Sequence, residues 1–413
     1  MPLRAGFLCL LVCTGIYLLF TLWPDTAHHL EAVECPQSPT PVPAKPVLEP
    51  IALTFVLLGP NIAHEGSVAI KSALMYSSRP LHFHLIVTED NIDYLERKFA
   101  LFDSPAYDVK VTYYPITTDM VRQRGERAGV GSNWPLLSKV FIHELLIGVK
   151  RVIFMDTDMI FVVDPVLLWN NFDDFNNDTL VSFPTLGPNS HAGEVCSCIM
   201  LMDLERMRAP EAPFMPSTLF PAEVSDASPA TSAFAKGISQ GIHHFDPPHA
   251  IVPFDPLNPF FADQGIYYMV WLTHPHLFIP LSQRWDVNFC RRHWGLKLGV
   301  WGDDLDEDIS PAYLIRSQKT LAGSRDQDRV VSPGIIHYNC QPGAGDDVWL
   351  YEQNHSGGSH FGAMVTTALR YKWAWLNRGT GTIQTSTMER VRWWDERAGV
   401  GPSRGHGGKQ HHH

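Results

Sequence analysis

"RVIFMDTDMIFVVDP", residues 151–165, decides how this chain is read. A run of Val, Ile, Phe and Met reads as a buried strand, yet Asp156 and Asp158 interrupt it. Burying an unpaired carboxylate is costly, and a second one nearby adds repulsion. On an extended segment, residues two apart project to the same side, so the pair converges on one point. A divalent cation there removes the repulsion. Carboxylate oxygens suit Mg²⁺ or Mn²⁺, ions that keep positions open for phosphate oxygens. An EF-hand loop is excluded, because Met159–Phe161 stand where acidic residues and a turn glycine are needed.

Upstream the pattern alternates. "IALTFVLL" from Ile51 is strand-like, "EGSVAIKSALMYSS" has Ile70, Ala73 and Leu74 at helical spacing, and "LHFHLIV" from Leu81 is strand-like again. A helical "IDYLERKFALF", a strand-like "DVKVTYY" and a helix opening at Pro135 in "WPLLSKVFIHELLIG" follow. Such alternation predicts an α/β fold with a mainly parallel sheet covered on both faces. Ligands of open α/β sheets gather beyond the carboxyl ends of strands, where Asp156 and Asp158 fall. Downstream, "GIIHYNC" ends a short apolar run on His337, whose imidazole is compatible with Mn²⁺.

The wider composition is that of an ordinary globular chain of 413 residues, 45% hydrophobic and 18% charged. Acidic residues outnumber basic ones 43 to 32, and no Lys/Arg-rich run tracks a phosphate backbone, so nucleic acid is not an expected partner. Ala5 to Trp23 carries no charge and as a helix nearly matches a hydrocarbon core of ~30 Å. Arg4 precedes it and Asp25, Glu31 and Glu34 follow, which orients the amino end to the cytosol and the remainder to a lumen. The stretch exceeds a cleavable signal core, so an uncleaved anchor is expected. Residues 34–50 are Pro-rich and read as an extended stem. Five cysteines lie beyond the apolar segment (Cys35, Cys196, Cys198, Cys290, Cys340), an odd number whose connectivity the sequence leaves open. Asn177 and Asn354 stand in N-glycosylation sequons.

Taken in order, "RVIFMDTDMIFVVDPVLLW", "CSCIMLMDLERMR", "DQGIYY", "LSQRWDVNF" and "IIHYN" resemble the family 8 glycosyltransferases, in particular the glucoside xylosyltransferases and the family 8 half of the LARGE proteins. The resemblance spans about residues 51–345. It implies a GT-A (Rossmann-like) fold, retention of anomeric configuration and a UDP-sugar donor. By position it implies that Asp156 and Asp158 bind Mn²⁺ (or Mg²⁺) with His337 as third ligand, Asp156 and Thr157 lying near the nucleotide. Lys139 matches a basic position that contacts the donor, and Leu58, Gly59 and Asn61 face the uracil. Asp263 and Gln264 lie against the transferred sugar, and Asp263 also suits a helix N-cap. Ser197 stands in the middle of a Cys-Ser-Cys triplet where most relatives carry Asn-Ser/Thr-Gly, and the lysine that bacterial-type relatives place after the metal histidine is missing from "HYNCQPGAGDD". Trp285, Asp286 and Asn288 are candidates for an acceptor groove, with core packing the alternative for Trp285.

The resulting division is a cytosolic end (1–4), a transmembrane signal anchor (5–23), a Pro-rich stem (24–50), one GT-A catalytic domain (51–376, with an irregular insertion at 209–259) and a disordered tail (377–413). The implied partners are a nucleotide sugar, a glycan or glycoprotein acceptor and the Golgi membrane, with type II topology. Two other classes compete: a non-catalytic lumenal binding protein on the same fold, and a metal phosphohydrolase or nucleotidyltransferase. The second needs another acidic cluster; the best candidate, "GDDLDEDIS" at 302–310, reads more simply as a solvated loop.

Overall fold

Ile51–Leu57 is buried almost throughout and forms β1, a continuous apolar strand of the kind covered on both faces. Its pleat divides the core. Leu53, Phe55 and Leu57 join one apolar cluster with Ile70 and Ala73, whereas Ala52 joins another with Phe141 and Tyr267. The computed structural model describes residues 48–127, 137–184, 195–209, 262–288, 297–298, 330–331, 333–338, 349 and 360–393, all within one compact unit that begins at Leu48.

The α/β expectation holds. After β1 come α1 (Pro60–Tyr76), β2 (Leu81–Val87), α2 (Glu89–Phe99), β3 (Val109–Pro115), α3 (Thr118–Arg127), a 3₁₀ turn (Ser138–Phe141) running into α4 (Ile142–Leu145), and β4 (Arg151–Met155). Then follow β5 (Met159–Phe161), α5 (Val166–Trp169), β6 (Val181–Pro184), β7 (Ile199–Asp203), α6 (Leu204–Met207), α7 (Ala262–Thr273), β8 (Phe278–Leu281) and β9 (Val287–Asn288). A short parallel pair, β10 (Lys297–Leu298) with β11 (Val330–Val331), precedes β12 (Ile335–His337), α8 (His360–Arg370) and β13 (Ile383–Thr387).

The main sheet has the order β13-β3-β2-β1-β4-β7-β6-β8. Only β7 runs against its neighbours β4 and β6; the other pairings are parallel. From β1 the chain winds outward to β2 and β3 and then returns to β4 on the other side. The gap between the carboxyl ends of β1 and β4 is therefore a topological switch point, where α/β sheets bind ligands. A second sheet, β5-β12-β9, lies downstream in sequence of that gap and brings His337 opposite Met159 and beside Asn288.

Three expectations need correction. The disordered tail does not begin at 377: Ile383–Thr387 pairs in parallel with β3 over five residues, and the described chain continues to Trp393, which is buried. The segment "IQTST" lacks apolar alternation because it is an exposed edge strand, so its pairing comes from backbone hydrogen bonds rather than from a buried face. The start of the helix expected from Pro135 lies outside the described residues; from Leu137, which is helical, the described chain continues as a 3₁₀ turn and a single α turn. The two aspartates sit in the turn linking β4 to β5, not along one extended strand. The segment 5–23, the stem as far as 47, the insertion beyond 209 and the chain beyond 393 lie outside the described residues; among the described ones, no helix is long and apolar enough to cross a membrane.

Candidate functional site

The site begins at the end of β1. Gly59 adopts φ 117°, a conformation that favours glycine, and lets the chain turn sharply into Pro60 at the start of α1. Asn91 holds this turn by donating its side-chain amide to the carbonyls of Leu57 (2.9 Å) and Gly59 (2.8 Å). The positive end of a 17-residue helix thus stands at the switch point, an arrangement that favours anions. Leu58, expected to face a base, has its side chain in the core instead; Asn61 lies in the first turn of α1.

The turn after β4 is fixed from two sides. Asp156 donates its backbone N–H to Cys198 carbonyl (2.8 Å), and the Asp158 carbonyl accepts from the Tyr338 N–H (3.0 Å). Thr157, between them, donates its hydroxyl to the Glu65 carboxylate on α1. Asp156 and Asp158 keep 24% and 23% of their side chains exposed, enough to meet a ligand.

Lys139 is buried. Its ammonium lies 2.8 Å from Asp156 Oδ1, 3.1 Å from Asp156 Oδ2 and 3.5 Å from Asp263 Oδ2. Burial works against its charge, but Asp156 and Asp263 outweigh it and hold Lys139 protonated, well above the usual lysine range. Burial pushes Asp156 up, against the pull of Lys139 and with the help of Asp158. Asp263 occupies the first turn of α7 rather than its N-cap and accepts a 2.6 Å hydrogen bond from Ser197. Gln264, its neighbour, is partly exposed.

His337 completes the constellation. Its Nε2 faces Asp158 Oδ1 at 3.4 Å and its Nδ1 meets Asp286 Oδ1 at 2.9 Å. Burial would favour neutral imidazole; Asp158 first and Asp286 second outweigh it, and the ring is instead held protonated above its usual range. The same partner His337 keeps Asp158 ionised below the usual carboxylate range, against the effect of burial.

Asp286, expected in an acceptor groove, has a different place. It does not line a groove; it is 1% exposed, behind His337. Trp285 is likewise core, packed against Gly334 so closely that a Cβ there would meet its ring at 2.5 Å. Nothing in the sequence pairs Asp286 with a histidine 51 positions away; only the β9–β12 register brings them together.

The ligand atoms of Asp156, Asp158 and His337 all lie within 4.8 Å of one another. Two carboxylates and an imidazole form a donor set for Mg²⁺ or Mn²⁺. Asp286 receiving the Nδ1 proton would leave the Nε2 lone pair facing Asp158, which is how buried carboxylates orient metal-binding histidines. Asp156 and Asp263 flank Lys139 while Asp158 and Asp286 flank His337, four carboxylates against one lysine and one imidazole, so a further cation fits the charge of the site. The residues present therefore fit a divalent ion.

No family model matches the chain. It is 28% identical over 153 residues to xylosyl- and glucuronyltransferase LARGE1 of Gallus gallus, which covers 36% of this chain and 19% of that protein. It is 26% identical over 182 residues to glucoside xylosyltransferase 1 of Rattus norvegicus, 39% of either chain. These relatives are glycosyltransferases. The resemblance drawn from the ordered motifs thus stands, although the matched stretch spans between a fifth and two fifths of the curated relatives' length. The crystal structure of mouse xyloside xylosyltransferase 1 in its apo form aligns with a TM-score of 0.47 at 14% identity, covering 71% of this chain and 98% of that one.

Around the same site the triplet Cys196–Ser197–Cys198 is closed by a disulfide between its two cysteines, with Cα atoms 5.2 Å apart. The odd cysteine count left this pairing open. Cys198 immediately precedes β7, whose antiparallel register with β4 sets the triplet beside Asp156.

Proposed function

We propose that this chain is a retaining, metal-dependent glycosyltransferase of GT-A type that moves a sugar from a UDP-sugar to a glycan or glycoprotein acceptor. One observation carries this reading: Asp156, Asp158 and His337 converge at the switch point, with Asp286 behind the histidine and Lys139 between Asp156 and Asp263. The sequence relatives support the reaction class.

Asp156, Asp158 and His337 would hold Mn²⁺ or Mg²⁺, which when bound supplies neutralisation of the charge that grows on a departing diphosphate. The chain's own residues do the rest. Asp286 accepts a hydrogen bond from the Nδ1–H of His337 and keeps the ring in one tautomer. Lys139 sits between Asp156 and Asp263 in a desolvated pocket and balances their charge. The positive end of α1 and the Gly59 turn favour the anionic donor, and Thr157 with Gly59 and Asn61 forms the nucleotide side. Asp263, steadied by Ser197 and Lys139, and the Gln264 amide meet the positive charge developing at the sugar. Gln264 is a weak nucleophile as a neutral amide, which favours same-face attack over a covalent intermediate. The apolar segment 5–23 anchors the enzyme as a type II Golgi membrane protein, with exposed Asn177 open to glycosylation.

A second reading, a non-catalytic nucleotide-sugar-binding protein, is favoured by one observation: a disulfide occupies the triplet where relatives carry Asn near the donor. A panel of UDP-sugars, assayed for UDP release with Mn²⁺ or with chelator and beside Asp158→Asn, separates the two. Manganese-dependent release from one donor, absent in the variant, supports the transferase and names its sugar. Metal-dependent UDP binding without release, even with glycan acceptors added, supports the binding protein.

A further inference from the structure

Cys196, Cys198, Asp286 and His337 make a second constellation. One ligand atom from each, two sulfurs, a carboxylate oxygen and a ring nitrogen, lie within 4.8 Å of one another. Three of the four residues are buried, Cys198 at 2% and Asp286 at 1% exposure. The second oxygen of Asp286, Oδ2, has no hydrogen-bond partner, an expensive condition for a buried carboxylate and one that a cation would relieve. As a donor set this differs in kind from the neighbouring carboxylate pair. Thiolates select soft or borderline ions in tetrahedral sites, Zn²⁺ foremost, and S₂NO is such a set.

The two constellations share His337. A neutral imidazole offers one lone-pair nitrogen, the other carrying its proton, so the ring serves one ion at a time. We propose that reduction of the Cys196–Cys198 disulfide opens a zinc-type site on Cys196, Cys198, Asp286 and His337, and that filling it withdraws His337 from Asp156 and Asp158. The chemistry balances with a dithiol as reductant: it gives two electrons and two protons, the Cys196–Cys198 bond breaks, and the reductant closes its own disulfide. Cation binding then displaces both thiol protons to solvent. In the oxidised state the sulfurs are bonded to each other and the histidine is free for the hard-ion site, so the triplet acts as a redox-controlled selector of metal.

Cobalt(II) titration of the full-length protein tests this. Reduction uses a phosphine, which takes oxygen from water to become its oxide and does not compete for metal as a thiol would. The reduced protein is expected to develop thiolate-to-cobalt charge-transfer and tetrahedral d–d bands saturating at one equivalent, and the oxidised protein neither. A Cys196→Ser/Cys198→Ser variant, checked for folding by its thermal melt, should lose those bands, which removes any contribution of the remaining cysteines. Asp158→Asn should keep them. One equivalent of Zn²⁺ should weaken Mn²⁺ binding at least tenfold, read by the free Mn²⁺ signal in electron paramagnetic resonance, only in reduced protein with both cysteines present. Bands absent from the reduced protein, or equally strong in the double variant, overturn the site. Bands present with Mn²⁺ affinity unchanged overturn the selector. Neither readout depends on sugar transfer, so the site can fail while the transferase reading stands, or the reverse.

Discussion

Lys139 and Asp286 show what single buried charges do at this site. Replacing Lys139 by Met leaves Asp156 and Asp263 without their shared cation, and breaking a buried ion pair from one side costs about 3–5 kcal/mol. We expect Lys139→Met to lower the urea midpoint accordingly and to abolish transfer, while Lys139→Arg keeps most of the stability. Asp286→Asn retains the shape but weakens the hold on the Nδ1 proton of His337. Its predicted effect is a 10–100-fold loss of Mn²⁺ affinity by calorimetric titration, the usual consequence of losing such a partner, with little change in the melt. At this scale the sequence was only half legible. Asp156, Asp158 and His337 announce themselves by breaking apolar runs. Asp286 sits in "QRWDVNF" like any loop carboxylate, and Asn91, which pins the Gly59 turn, looks like an ordinary polar residue near the start of α2.

At the scale of elements, α1 and the Asp156–Asp158 turn are held at a fixed distance by glycine. A Cβ on Gly66 would collide with Leu57 and come within 3.2 Å of Thr157 Cγ2. Gly66→Ala is therefore expected to cost about 1–3 kcal/mol as an overpacking change, and to impair metal binding by displacing the turn. Both effects are read together by a denaturation curve and a Mn²⁺ titration. Strand β2 adds a pH dependence. Its two imidazoles lie 3.8 Å apart between ring centroids, tilted by 38°; His82 bonds to Thr112 on β3 and His84 to Tyr114. Burial, then Lys110, lowers His82 to about 4, and burial, His82 and Lys110 lower His84 well below its ordinary value. The unfolded chain thus binds more protons than the folded one between about pH 6.5 and 4, so this stability is complete above ~6.5 and is lost as pH falls toward 4. Urea midpoints between pH 7.5 and 4.5 should fall less steeply in His82→Gln/His84→Gln than in the parent. Edge strand β13 supplies another test: ending the chain at Leu376 should destabilise the fold, because β3 would lose a parallel partner along five residues. An unchanged melt would mean that the edge pairing contributes nothing.

For the molecule as a whole, alternation of apolar runs made the order of strands and helices readable, since each element buries a face and so carries its period in the sequence. What stayed hidden depends on contacts between distant segments: the β9–β12 register that pairs Asp286 with His337, the β4–β7 register that brings the cysteine pair to Asp156, and the return of β13 to the far edge. These are the contacts that turn a common α/β sheet into a specific site. The account stands on a divalent ion held by Asp156, Asp158 and His337 with a diphosphate beside it. Anomalous diffraction from crystals of the protein soaked with Mn²⁺ and UDP tests that claim most directly. The predicted result is a single strong manganese peak among those three side chains, with diphosphate oxygens completing its shell. A bound UDP with no manganese peak between the two aspartates and the histidine would contradict it.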